Sequence, residues 1–222
     1  MPSPFLLDKT FRHIPVPFKQ CSLIANAGWS NPDPALRNGA IITDRIAADG
    51  STIYGLDAGV CLGLAMAYTL LRGTAEERIS GLNTPRSLAI VRGITNMQYR
   101  DGGTEFAAIE LLVAVAKEAG QKYESLAALC MPWHKNELRA CLKPGFNYIV
   151  LMVKDPRGHA MAISCDDKDG PADLVPYQIF DPNLGVATLK GARAVAHYME
   201  RLGRRAYYGR YNKIALMGFT RL

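Results

Sequence analysis

The chain has 222 residues, of which 49% are hydrophobic and 21% charged, with a formal net charge of +6. That composition supports a buried core and excludes a disordered polyelectrolyte, and the length suits one domain or one domain of two lobes. No run reaches the ~18 apolar residues of a spanning helix, so no stable membrane insertion is expected.

The first residues, Met1-Pro-Ser-Pro-Phe-Leu-Leu-Asp-Lys-Thr10, lack a basic leader and carry too short an apolar run for a Sec signal. Prolines at 2, 4, 15, 17, 32 and 34 interrupt any regular period. Residues 1–50 are therefore expected to be an extended N-terminal arm and loops, with a short helix near 35–48, followed by a single domain over 51–222. The first strong element is a helix over 59–72. It is apolar on nearly every face, which predicts burial, and Gly73 suits its C-terminal cap. A second helix is expected over 104–119, capped by Thr104, with Glu105 in its first turn and Gly120 ending it. Short helices are predicted over 122–130 and 134–142, the latter stopped by Pro144-Gly145.

Beyond Gly145 the period changes. Residues 146–153 and 159–165 read as strands, the acidic turn Asp166-Asp-Lys-Asp-Gly170 intervenes, and 175–180 reads as a third strand. A helix over 189–202 and a closing strand over 214–219 complete the chain. Helices first and an antiparallel sheet later predict an α+β fold with a helical lobe packed on a C-terminal sheet.

The five cysteines, at 21, 61, 130, 141 and 165, are odd in number and irregular in spacing, which is not a disulfide framework. No Cys-x-x-Cys pair occurs, the histidines at 13, 134, 159 and 197 lack zinc-ligand spacing, and the acidic turn does not match the calcium-loop pattern. Neither metal nor cofactor is expected. The basic run Arg201-Leu-Gly-Arg-Arg205, with Arg210 and Lys213, reads as a solvated helix end, because no nucleic-acid motif accompanies it.

Three residues carry the chemistry. Cys61 opens the apolar helix, where the positive end of the macrodipole favours a thiolate. His159 opens one strand and Asp181 closes another, and a hairpin between them would set the two side by side. Each alone has a bland reading: a buried cysteine, a core histidine, a turn aspartate. Together they fit acyl transfer, with Cys61 attacking a carbonyl, His159 moving the proton and Asp181 orienting the ring. The backbone N–H of Cys61 is an oxyanion donor, since helix N-termini have unpaired donors.

The blocks Gly59-Val-Cys61-x-Gly-Leu, Gly158-His159-Ala-x-Ala-Ile and Phe180-Asp181-Pro-Asn-Leu-Gly185 resemble those of YopT-type cysteine peptidases, papain-like effectors that bacteria inject into host cells. The resemblance spans about residues 55–190. It implies a papain-like fold and a Cys61, His159, Asp181 triad. It also implies synthesis in the bacterial cytoplasm, delivery by a specialised secretion system rather than Sec, and a protein substrate such as a host GTPase or kinase. The sequence departs from the papain-like pattern at one point: residues 51–60 offer Tyr54 and Asp57 but no side-chain amide for a second oxyanion donor. A glutamine deamidase or transglutaminase, a cell-wall amidase, and a non-catalytic binding module remain open as alternatives.

Overall fold

The computed structural model describes residues 16–18, 20, 23, 44–46, 52–54, 60–100, 105–130, 134–154, 157–207 and 211–221. Three short strands come first: β1 (Val16–Pro17), β2 (Asp44–Ile46) and β3 (Thr52–Tyr54). Helices α1 (Val60–Leu70), α2 (Ala75–Gly81), α3 (Pro85–Arg100) and α4 (Glu105–Glu118) follow. Then come β4 (Gln121–Cys130), α5 (Lys135–Cys141), β5 (Phe146–Lys154), β6 (Arg157–Ser164), β7 (Pro176–Asp181) and β8 (Gly185–Lys190). Helix α6 (Ala192–Leu202) runs into a π-helical turn, Gly203–Tyr207, and β9 (Lys213–Arg221) follows.

One antiparallel sheet has the order β1-β8-β7-β6-β5-β9-β4. Side chains alternate across it. From β5, Ile149 and Leu151 join a core with α1, whereas Tyr148, Val150 and Met152 join a second core with α5 and α6. Both faces of the central strands are thus covered, which is why 146–153 reads as a continuous apolar run rather than an alternating one. The expected α+β architecture stands, with α5 and α6 adding a layer behind the sheet.

Two expectations are overturned. Residues 121–130 form strand β4, not a helix, paired with β9 from Gln121↔Arg221 to Cys130↔Lys213. Their Glu, Leu and Ala content suits a helix locally, but the long ladder with β9 outweighs that propensity. Residues 44–46 belong to β2, paired with β3, where the end of a helix was expected. The rest of that helix, the Thr104 cap and most of the 1–50 arm lie outside the described residues. The sequence reading left α2 and α3 unassigned. Helix α2 carries a capping box: Glu77 N–H donates to Thr74 Oγ1 at 3.2 Å, and Thr74 N–H donates to Glu77 Oε2 at 2.7 Å.

Helix α1 is held at three places. At Gly63 it crosses α3 so closely that a built Cβ would stand 2.7 Å from the Val91 carbonyl oxygen and 2.8 Å from Val91 Cα. Toward its other end Tyr68 stacks on Phe180 of β7, with centroids 4.5 Å apart, and donates to Gln178 Oε1 at 2.6 Å. Its C-terminal carbonyls, which have no partner within the helix, accept from outside it. Arg78 Nη1 donates to Tyr68 O (3.2 Å), Gln121 Nε2 to Thr69 O (3.0 Å), and Arg221 Nη2 to Leu71 O (2.6 Å). The guanidiniums lie where the macrodipole is negative. Arg78 is almost fully buried and also reaches Asp166, in the turn after β6, at 2.7 Å. One network therefore ties α1 to the strands that carry the other residues of interest.

Candidate active site

Cys61 is the second residue of α1 and is nearly buried. Its helix packs on one face of the sheet. His159 and Asp181 come from strands β6 and β7, in phase with Met161, Ile163, Tyr177 and Ile179 of the opposite core. The three side chains meet at the end of the sheet, where the layers adjoin. Register explains why the pair from β6 and β7 meets. Ala162 pairs with Phe180, so Asp181 falls beside Met161, diagonal to His159 on the same face.

His159 Nε2 stands 3.1 Å from Asp181 Oδ1, and both side chains are buried. Cys61 lies close enough to the imidazole to act on it. Since Nε2 is engaged by Asp181, Nδ1 is the nitrogen left for the sulfur. Burial alone would favour the neutral ring, but the Asp181 charge and its hydrogen bond, with a smaller contribution from the neighbouring Cys61, outweigh it and push the His159 pKa up to about 10. The ring is an imidazolium at neutral pH, held against the Asp181 carboxylate.

The Asp181-Pro-Asn-Leu-Gly185 block has a physical reading. The Asn183 N–H donates to Asp181 Oδ1 at 2.9 Å, and the Leu184 N–H to Asp181 O at 3.0 Å, so the aspartate folds its own turn. Gly185 has φ of +121°, and a Cβ there would lie 2.0 Å from Val16 O, where β1 crosses. This N-terminal strap pairs with β8 and sets Phe18 edge-on to Phe180 with centroids 5.2 Å apart. Gln20 extends it. Its N–H donates to Pro182 O at 2.9 Å and its Nε2 to Asn183 Oδ1 at 2.5 Å, while its buried Oε1 has no partner among the described residues.

Two contributors were not evident in the sequence reading. Gln20 is forty-one positions before Cys61 and carries no motif, so only the strap's fold brings it to the Asp181 turn. Tyr207, buried at the end of the π-helical turn, donates its hydroxyl to Asp181 Oδ2 and lies 3.2 Å from His159 Nε2. In the sequence it is one of the tyrosines interleaved with the basic stretch that reads as a solvated helix end. Among the described residues no group of His, Cys, Asp and Glu side chains could hold a metal ion, and Cys61, Cys141 and Cys165 are free thiols.

No family model matches the chain, and no curated protein matches it. Solved structures do. The Pseudomonas avirulence protein AvrPphB superposes with a TM-score of 0.55 at 17% identity, covering 72% of this chain and 91% of that one. The chain has the fold of AvrPphB. A cysteine protease-like domain of the Photorhabdus asymbiotica toxin PaTox also matches, at a TM-score of 0.39 and 10% identity, over 90% of this chain and 60% of that one. The resemblance to YopT-type, papain-like effectors read from the three sequence blocks therefore holds at the level of the fold.

Proposed function

We propose that the chain is a cysteine peptidase acting on a protein substrate, with Cys61 as nucleophile, His159 as acid–base and Asp181 as the group that orients His159. The observation that carries this reading is a protonated imidazole that is bonded to a buried carboxylate and stands beside Cys61 in the first turn of α1. The proton already on the ring is the counter-charge for a Cys61 thiolate, the form that attacks carbonyls.

The Cys61 sulfur adds to the scissile carbonyl, and the oxyanion accepts the free N–H donors at the start of α1. His159 gives its Nδ1 proton to the departing amine, the C–N bond breaks, and a thioester remains on Cys61. Water then loses a proton to His159 as it attacks the thioester. The acid leaves, and the proton returns the pair to its ionised form. Residues 51–60 supply no amide to this hole. The side-chain amides of Gln20 and Asn183, bonded to each other, are those the described residues place beside the Asp181 turn.

The finer reading follows the same resemblance: an effector passed by a dedicated secretion machine into a target cell, cutting a host GTPase or kinase. No helix among the described residues is long and apolar enough to cross a membrane. The test is to express the chain and its Cys61→Ser variant in target cells and to map new protein N-termini. New termini that depend on Cys61 support the peptidase. Glutamine-to-glutamate conversion without new termini would assign a deamidase instead, and an unchanged biological effect from Cys61→Ser would make the chain a binding module.

A further inference from the structure

Three donors converge on Asp181, and two of them, the Asn183 N–H of its own turn and the Tyr207 hydroxyl, lie outside the triad. The carboxylate accepts from His159 Nε2 and the Asn183 N–H at Oδ1, and from the Tyr207 hydroxyl at Oδ2. The same hydroxyl oxygen lies 3.2 Å from His159 Nε2, within reach of the proton that Nε2 shares with Asp181. Tyr207 is thus bonded to both members of the pair at once, and its ring packs 5.3 Å from the imidazole. The backbone places it there by an uncommon device. Helix α6 does not end at Leu202 but widens into a π-helical turn, and Tyr207 is its last residue. Such turns are rare and concentrate at functional sites.

We propose that Tyr207 is a positioning residue: its hydroxyl locks the Asp181 carboxylate and the Nε2 side of His159, so that Nδ1 stays aimed at Cys61. This rests on the peptidase reading of the site. A carboxylate held by one oxygen can swing about its Cβ–Cγ bond, and the ring it orients swings with it. Tyr207 takes the second oxygen and removes that freedom. Its own proton is secure, because burial first and the Asp181 charge second hold the phenol well above its ordinary range. The groups facing the imidazole are therefore Cys61 from α1, Asp181 from β7, and Tyr207 with Tyr211 from the segment after α6.

The experiment needs no known substrate. Iodoacetamide alkylation of Cys61 is followed by mass mapping from about pH 5 to pH 9 in the full chain, in Tyr207→Phe, in Asp181→Asn and in the double variant, with a melting curve for each. In the unaltered protein Cys61 reacts at low pH, ahead of the other cysteines. Tyr207→Phe keeps the ring and removes one hydroxyl. It lowers the rate at about pH 6 by about tenfold, the scale of one lost hydrogen bond to a charged group. In the Asp181→Asn background the same change costs less than about twofold, because the carboxylate it acts through is gone. An unchanged low-pH rate in Tyr207→Phe overturns the inference, as does an equal loss in both backgrounds. A Phe variant that fails to fold also overturns it, since a positioning hydroxyl acts on a pair already formed. If Cys61 in the unaltered protein shows no low-pH reactivity, the peptidase reading fails and the inference falls with it. A normal Cys61 profile with an indifferent Tyr207 sinks the inference alone.

Discussion

Replacing Gly63 with alanine tests whether the crossing of α1 and α3 sets the position of Cys61. A Cβ at residue 63 would stand 2.7 Å from Val91 O and 2.8 Å from Val91 Cα, whereas ordinary contacts begin near 3.4 Å. Both obstructing atoms are backbone, so no side chain can turn aside, and the helices must separate by about 0.7 Å. Overpacking of this kind costs about 1–3 kcal/mol, and a clash between two backbones belongs at the upper end. Alanine returns about 1 kcal/mol through its better helix propensity. The expected net loss is about 1–2 kcal/mol in urea unfolding, a fall of roughly 2–8 °C in melting temperature for a chain of this size. Cys61 is two residues away on the same helix, and a displacement approaching 1 Å at a reacting atom costs up to about a hundredfold in rate. Gly63→Ala is therefore expected to slow Cys61 alkylation by about tenfold or more. Trimming the partner with Val91→Ala should restore neither quantity, because the clash is with Val91 backbone. A Gly63→Ala protein as stable as the parent, or one rescued by Val91→Ala, would refute this account of the crossing.

The pH dependence has a definite sign. Because the His159 pKa is raised from 6.5 to about 10, its contribution to stability is fully present below about pH 6.5 and is lost as pH rises through about 10. Urea midpoints measured from neutral pH to about pH 10 should fall more steeply for the parent than for His159→Gln, and parallel curves would contradict the assignment. Arg78→Met removes a buried guanidinium that donates to Tyr68 O and Gly73 O and pairs with Asp166, so a loss of about 1–3 kcal/mol is expected; a loss below about 0.5 kcal/mol would show that the network is dispensable. Gly185→Ala meets both a left-handed φ and the β1 backbone, and should free the strap, exposing the 16–20 segment to limited proteolysis. An unchanged digestion pattern would count against that role.

Much of the frame was legible because local signals agreed with tertiary ones. Helix α1 is apolar all round, and it lies buried; β5 is apolar on both faces, and both are covered. Cys61, His159 and Asp181 stood out because each sits at an element boundary, where a side chain reaches the edge of its layer. Strand β4 was misread because Glu, Leu and Ala near 124–129 favour a helix, and only pairing with β9, ninety residues on, makes them a strand. The capping box at Thr74 and Glu77 was available as a signal for α2. Gln20 and Tyr207 gave none. A glutamine amid prolines and a tyrosine amid arginines acquire meaning only when β1 crosses Gly185 and when α6 widens by one residue per turn.

The place of β9 in the sheet bears on how the chain yields to force. It is hydrogen-bonded along its length to β5 on one side and β4 on the other, whereas β1 is held to β8 through two residues. Tension applied from the β9 side loads two ladders in shear together, so they must rupture at once. Tension applied from the β1 side opens a short ladder at the sheet's margin, and the turn bearing Asp181 is the next thing it disturbs. Force applied through β1 thus meets the shorter of these ladders first, and reaches the turn that carries Asp181 before it reaches the centre of the sheet.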